Sequence, residues 1–202
     1  MKSEPRIPQQ ERSIEKKEYI INAGLKLFSD IGYHKTNTKE IAKAAGVSTG
    51  TFYAYFTDKR DLFMEVFSRY NGKISKVLSS IPVEEYRQPG RERDFILHLV
   101  ETLLDAHNIS PAFHQELESM IHSDEEVGRI MESIRDNSIK LTREILKNWQ
   151  SSLRPGNINA ASIIIQSTIE DIVHAIKFTK LDVKPVVLKN ELVDMIHRYL
   201  FD

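Results

Sequence analysis

Cysteine is absent from the 202 residues of this chain, which excludes disulfide bonds, thiol nucleophiles and thiolate metal sites. Long apolar runs are absent too. The longest one without a charge, AASIIIQSTI at 160–169, has ten residues, whereas a helix that spans a bilayer needs about 20. The N-terminus is polar and charged, without the apolar centre of a signal peptide. We therefore expect a cytoplasmic protein with no membrane partner.

The small net charge of −1 hides an uneven distribution along the chain. Residues 1–60 hold 11 Lys and Arg against 7 Asp and Glu, a net charge of +4, and the remaining residues hold 17 against 22, a net charge of −5. A basic N-terminal region on an acidic remainder favours a polyanionic partner for the first sixty residues. With 41% hydrophobic residues, the chain can also form a substantial core.

No period-two alternation typical of strands is present, and helix start and stop signals recur along the chain. They predict an all-α fold of about nine helices. We divide the chain into a flexible N-terminus (1–12), a three-helix domain (13–60) and a larger helical domain (61–202). The predicted helices cover about 13–31, 38–45, 48–56, 58–81, 91–107, 111–122, 123–149, 158–179 and 185–200.

The stretch IAKAAGVSTGTFYAYF (41–56) has the spacing of a helix-turn-helix. Asn37 with Glu40 forms a capping box for the second helix, Gly46 ends that helix, and Ser48 caps the third. Phe52 and Phe56 are four residues apart and so share one face of the third helix, which we assign to the core. The opposite face then presents hydroxyl groups, which can contact bases and phosphates.

Residues 13–62 resemble the N-terminal domain of TetR-type transcriptional regulators, and the matching pieces lie in FSDIGYHKTNTKEIAKAAGVSTGTFYAYFTDKRDL (28–62). The resemblance implies an all-helical homodimer that binds a double-stranded, palindromic operator and represses transcription until a small-molecule effector binds its C-terminal domain. It also implies the DNA contacts. These are Thr38 and Lys39 on phosphates, Ser48, Thr49, Gly50 and Thr51 at the head of the recognition helix, and Tyr53, Tyr55 and Lys59 as a clamp on the DNA backbone. Thr49 stands where many relatives carry a longer lysine, arginine or glutamine, which argues against bidentate reading of guanine there.

The last two predicted helices carry more apolar surface than one core face requires. We expect their second side to form a homodimer interface, since two-fold dimers are the commonest assembly; burial within a monomer is the alternative. The candidate interface residues are Ile163, Ile164, Ile172, Ile176, Leu192, Ile196 and Tyr199.

The effector site is predicted among apolar residues of the middle helices, because small-molecule sites are mostly apolar with a few polar groups. Each candidate could equally be ordinary core. The candidates are Phe67, Phe95, Leu99, Leu103, Phe113, His114, Leu117, Ile134 and Ile172.

Two other functions remain open in the sequence. The C-terminal domain could serve only to dimerise, without sensing a ligand. Alternatively, His114, Glu118 and His122, spaced four apart, could bind a divalent metal together with Asp171 and His174. A polar helix face explains this spacing as well, so we expect no metal and no cofactor. No nucleophile motif, phosphate loop or HExxH signature is present, and we expect no enzyme activity.

Overall fold

The computed structural model describes residues 7–107 and 109–202, with side chains described from Arg12 onwards. The described residues form nine α-helices and one 3-10 turn and no strand, which confirms the all-α prediction. The helices are α1 (Ile7–Ile31), α2 (Thr38–Ala44), α3 (Thr49–Tyr53), α4 (Lys59–Ser79), α5 (Glu92–Ala106), α6 (Pro111–Ser123), α7 (Glu125–Lys147), α8 (Ile158–Phe178) and α9 (Pro185–Leu200), with the 3-10 turn at Val83–Tyr86. None of them combines the length and apolar character that a bilayer crossing requires.

Several helix ends differ from the prediction, most clearly one end each of α1, α3 and α7. Helix α1 begins at Ile7 rather than near residue 13, because Pro8 is tolerated in a first turn; residues 1–6 of the predicted flexible N-terminus lie outside the described part. Helix α3 ends at Tyr53 rather than Phe56. Helix α7 is capped by Asp124, which accepts from the N–H groups of Glu126 and Val127. Ser123, at which the seventh helix is predicted to begin, is instead the last residue of α6.

The described residues fall into two compact units. The first runs to Tyr70 and includes Ile109–Ser123, and the second begins at Asn71 and includes the chain from Asp124 onwards. Helix α6 therefore belongs to the first unit, whereas the predicted boundary near residue 60 assigned it to the C-terminal domain. The long-range packing of α6 against α1 explains the difference, because such a contact leaves no local signal in the sequence.

Aromatic packing builds the first unit. The Phe63 ring on α4 lies 5.8 Å from the ring of Phe28 on α1 and 5.8 Å from that of Phe113 on α6, and all three side chains are fully buried. Gly24 allows α1 and α4 to approach closely, since a Cβ at this position would lie 2.6 Å from a Leu62 methyl carbon. The short helix α2 packs against α1 in this unit, and α3 packs against α2.

The second unit has a separate apolar core. Its residues come from α5, α7, α8 and α9, with Ile81 from the segment after α4. The aromatic centre is Trp149, whose ring lies 4.8 Å from that of Phe95 and 6.4 Å from that of Phe201. Helix α7 packs along α8, and α9 packs against both α5 and α8.

Candidate functional site

The reading head, which we define as residues 37–56, is formed by α2, a glycine turn and α3. The Asn37 side chain accepts from the N–H groups of Lys39 and Glu40, and the Glu40 carboxylate accepts from the Asn37 N–H, as the capping box predicts. Gly46 has φ +68°, a left-handed conformation that favours glycine. Ser48 caps α3 by accepting from the Thr51 N–H at 3.1 Å. Local polar contacts therefore fix where each of the two helices begins, and the turn at Gly46 joins them.

Helix α3 has a buried side and an exposed side. Phe52 and Phe56 are 0% and 3% exposed, as their four-residue spacing predicts. On the other side, Ser48 and Gly50 are exposed and Thr49 is half-buried. Tyr53 is 54% exposed, so it is not a core ring. This exposed side has the small polar groups that a base-reading surface needs.

Hydroxyl groups on this exposed surface are hydrogen-bonded in pairs. The hydroxyls of Thr38 and Tyr53 lie 3.1 Å apart and join the start of α2 to the end of α3. Those of Ser48 and Thr51 lie 2.9 Å apart. A third pair joins Tyr55 to Ser13 on α1 at 2.9 Å. Sequence reasoning missed Ser13, because nothing local links it to a tyrosine 42 residues away.

Lys59 lies in a different environment from the one predicted. Its ammonium donates to the backbone carbonyls of Tyr33 at 2.6 Å and Thr36 at 2.9 Å, and it lies 4.1 Å from the centre of the Tyr33 ring. Burial lowers the pKa of Lys59, an effect that the Glu116 carboxylate partly opposes. Two of its three donors therefore hold the α1–α2 connection onto the start of α4. By contrast, Lys39 on α2 is exposed.

The second unit contains an apolar cavity with a volume of about 40 Å³. Of the predicted ligand residues, it brings together Phe95, Leu99 and Leu103. The other predicted residues lie elsewhere: Phe67, Phe113, His114 and Leu117 belong to the first unit, and Ile134 and Ile172 are half-buried outside the lining. The lining also includes residues that sequence reasoning missed, namely Leu78, Ile96, Ser138, Leu141, Thr142, Ile145, Leu146, Trp149, Ile165, Gln166, Ile169, Ile196, Leu200 and Phe201. Among these residues, Trp149 is the one that the sequence could have indicated as part of the site, because it is the only tryptophan in the chain.

An apolar face of α8 and α9 is exposed, although its composition differs from the prediction. Ile163 and Ile164 are 47% and 48% exposed, and Ile172, Ile176 and Tyr199 are half-buried. Leu192 and Ile196 are 3% and 1% exposed and pack in the core of their own chain, although Leu192 also lines a groove on this face. Met195 and Val187 are exposed instead. Thr168, Ile172, Leu188 and Met195 line a groove on this face.

The predicted metal-ligand residues are divided between the units. His114 and Glu118 are one turn apart on α6, with Nε2 and Oε1 separated by 3.7 Å, and His122 is exposed at the end of the same helix. Asp171 and His174 belong to the second unit. Burial lowers the pKa of His114, and Glu118 opposes that shift. Within the first unit, the contact between these two neighbouring side chains on one helix accounts for the spacing of His114 and Glu118.

Two family models match the chain. The model described as "Bacterial regulatory proteins, tetR family" matches residues 20–66, which include the reading head. The model described as "Tetracyclin repressor-like, C-terminal domain" matches residues 93–200, more than half of the chain.

Similar proteins carry related descriptions. "Uncharacterized HTH-type transcriptional regulator YuxN" of Bacillus subtilis is 30% identical over 134 residues, which cover 66% of this chain and 45% of that protein. The "HTH-type transcriptional regulator AcrR" of Shigella flexneri is 34% identical over 89 residues, 44% of this chain and 41% of that protein. The chain thus spans less than half the length of these curated relatives. A putative TetR-family regulator from Mesorhizobium loti has a similar fold, with a TM-score of 0.72 at 20% identity, covering 95% of this chain and 99% of that one.

Proposed function

Because this chain belongs to the tetR family of bacterial regulatory proteins, we propose that it binds operator DNA as a homodimer and represses transcription until a small molecule binds its second unit. The observation that carries the proposal is the exposed side of α3, which presents hydroxyl groups to solvent while aromatic side chains on its other side are buried. A recognition helix contacts bases mainly through its N-terminal residues. A regulator of this kind acts in the cytoplasm, where the operator is.

The hydroxyl pairs give the reading head polar groups that can exchange partners. In the free protein, Thr38 bonds to Tyr53 and Ser48 bonds to Thr51. On DNA, Thr38, Tyr53 and Tyr55 donate to phosphate oxygens and fix the position of the head, and Lys39 adds a positive charge. Thr49 contacts a base edge, and Gly50 lets the backbone come close to the DNA.

A binding-site selection with the wild-type protein and Thr49→Ala tests this assignment. The wild type should enrich a palindrome whose half-sites lie about 34–36 Å apart, or a multiple of that distance, as expected for a two-fold dimer. Thr49→Ala should lose about 1–3 kcal/mol of discrimination at one base pair. Ser119→Ala, at an exposed position on α6, is the matched control and should enrich the wild-type sequence. If nothing is enriched, the proposed function is wrong; if both variants enrich the same sequence, Thr49 does not read a base.

The exposed apolar face of α8 and α9 supports the homodimer. Ile163 and Ile164 on α8 and Met195 on α9 are nearly half exposed, and exposed apolar surface of this kind is typical of an interaction site. Ile164→Asp should yield monomers in sedimentation velocity and weaken operator binding. The control Ile14→Asp changes an isoleucine on α1 that is 57% exposed and should leave the dimer intact. A dimer that survives Ile164→Asp would contradict this interface.

Helix α4 supports coupling between ligand and DNA. It begins at Lys59 beside the α1–α2 connection, contributes Leu62 and Phe63 to the first core, and contributes Leu78 to the cavity wall. A ligand that favours one position of Leu78 can therefore bias the whole helix and the spacing of the two recognition helices. Such coupling is reciprocal, so operator DNA must weaken ligand binding by the factor by which the ligand weakens DNA binding.

A further inference from the structure

The wall of the cavity in the second unit is apolar and uncharged. Leucine, isoleucine and aromatic side chains form most of the lining, and Ser138, Thr142 and Gln166 are its polar members besides Trp149. Thr142 already donates to the side-chain oxygen of Gln166 at 3.0 Å. No Asp, Glu, Lys or Arg lies among the described residues that line it. An ionised ligand would therefore lose its hydration here without gaining a counter-charge.

Trp149 lines this cavity and carries a buried hydrogen-bond donor that has no acceptor among the described residues. Its side chain is 5% exposed, and its Nε1–H has no hydrogen-bond acceptor among the residues that the structure describes. Buried indole N–H groups usually have a partner, since leaving one unpaired costs free energy. The rings of Phe95 and Phe201 flank Trp149 and hold it in place.

We infer that the effector of this protein is an uncharged, mainly apolar molecule whose oxygen, as in a ketone, ester or ether, accepts a hydrogen bond from Trp149 Nε1. The inference rests on the proposed function, because it names the ligand class of the regulatory unit. The free volume of about 40 Å³ holds only a few water molecules. The ligand must therefore displace some of the side chains that line the cavity. Leu78 of α4 belongs to this lining.

Three matched probes test the inference on the full-length protein without DNA. Acetophenone has one acceptor, α-methylstyrene replaces its oxygen with a methylene group, and benzoate carries a charge on a scaffold of the same size. Affinities are measured from the methyl shifts of ¹³C-labelled isoleucines, of which Ile165, Ile169 and Ile196 line the cavity. Acetophenone should bind about 3- to 10-fold more tightly than α-methylstyrene and about 10-fold or more tightly than benzoate.

The role of Trp149 is tested in the same experiment. Trp149→Phe keeps an aromatic ring and removes the donor, so the two neutral probes should then bind within about 2-fold of each other. In the wild type, the single indole N–H signal should move downfield with acetophenone and much less with α-methylstyrene. This second measurement needs no variant and remains decisive if Trp149→Phe fails to fold.

Three results would overturn the inference: benzoate binding as tightly as acetophenone, an acetophenone preference that persists in Trp149→Phe, or cavity isoleucines that respond to none of the probes. The binding-site selection separates this outcome from failure of the proposed function. If the probes behave as expected while no DNA sequence is enriched, the cavity inference stands and the repressor proposal fails. If an operator is enriched but the cavity isoleucines respond to no probe, the repressor proposal stands and the cavity inference fails.

Discussion

In the first unit, short helices around the reading head are fixed by polar contacts a few residues apart, whereas in the second unit long helices are held by apolar side chains from distant parts of the chain. Asn37 with Glu40 and Ser48 with Thr51 represent the first kind of contact. The packing of Trp149 between Phe95 and Phe201 represents the second. The difference suits the two tasks proposed for the units, since a DNA-reading surface needs fixed angles between short helices and a ligand site needs a wall whose side chains can move.

The largest effect should follow from Phe63→Ala, which tests whether the two units are separate. Phe63 is fully buried between Phe28 and Phe113, so its truncation should cost about 3–5 kcal/mol. Hydrogen exchange should then rise in α1, α2, α3 and α6. The matched control Phe95→Ala, at a site that is 5% exposed, should loosen α5, α7, α8 and α9 instead. If both variants loosen the same helices, the units form one cooperative body.

Lys59→Met should have the next largest effect and tests whether Lys59 is structural. The variant loses two charge-assisted hydrogen bonds to the carbonyls of Tyr33 and Thr36, and bonds of this type contribute about 1.5–3 kcal/mol. Urea unfolding should show lower stability, and the slope of log K against log salt for DNA binding should not change. Lys39→Met, at an exposed position, should keep the stability and lower the slope by about 0.9. If Lys59→Met instead keeps the stability and lowers the salt slope, Lys59 contacts a phosphate and is not structural.

Much of the reading head could be predicted from sequence because its determinants are local. The caps at Asn37 and Ser48, the turn at Gly46 and the buried face of Phe52 and Phe56 all follow from spacings of a few residues. Lys59 shows the limit of that reasoning. Its acceptors lie 23 and 26 residues earlier in the chain, and only the folded connection between α1 and α2 brings them to its ammonium.

The cavity and the exposed apolar face of α8 and α9 could be predicted only in part. Phe95, Leu99 and Leu103 line the cavity as predicted, but apolar periodicity on α8 and α9 could not tell which side faces inwards. Ile163 and Leu192 illustrate this, because they have similar hydropathy and yet are 47% and 3% exposed. Helix α9, which carries Leu192, packs against α5, and that contact joins segments about ninety residues apart.

Ser48→Ala should have a smaller effect and tests whether local caps set the angle of α3. Loss of an N-cap costs about 0.5–2 kcal/mol, and Ser48 also bonds to the Thr51 hydroxyl. Affinity should fall by a similar factor for every operator variant, because the whole helix loses its orientation. Thr49→Ala, one residue on, should change the preference among sequences and leave stability within about 0.5 kcal/mol. A change in preference with Ser48→Ala, without loss of stability, would make Ser48 a base contact.

Arg69→Met should have the smallest effect and tests whether surface charges contribute to joining α1 to α4. Arg69 donates to both carboxylate oxygens of Glu18, with one contact of 2.8 Å, and to Glu65, but these side chains are 30% to 42% exposed, so the cost should stay below about 1 kcal/mol. The hydrogen bond from Arg69 lowers the pKa of Glu18. The contribution of this hydrogen bond to stability should therefore be complete above the unfolded pKa of about 4.3 and disappear as the pH falls through the lower folded pKa.

The control Lys26→Met breaks a pair within α1, Lys26–Asp30, and should cost about 0.5 kcal/mol or less. Urea unfolding measured stepwise from pH 7 towards lower pH follows both variants, and a cost for Arg69→Met that does not fall at any pH would show that the packing of its side chain, not its charge, joins the two helices.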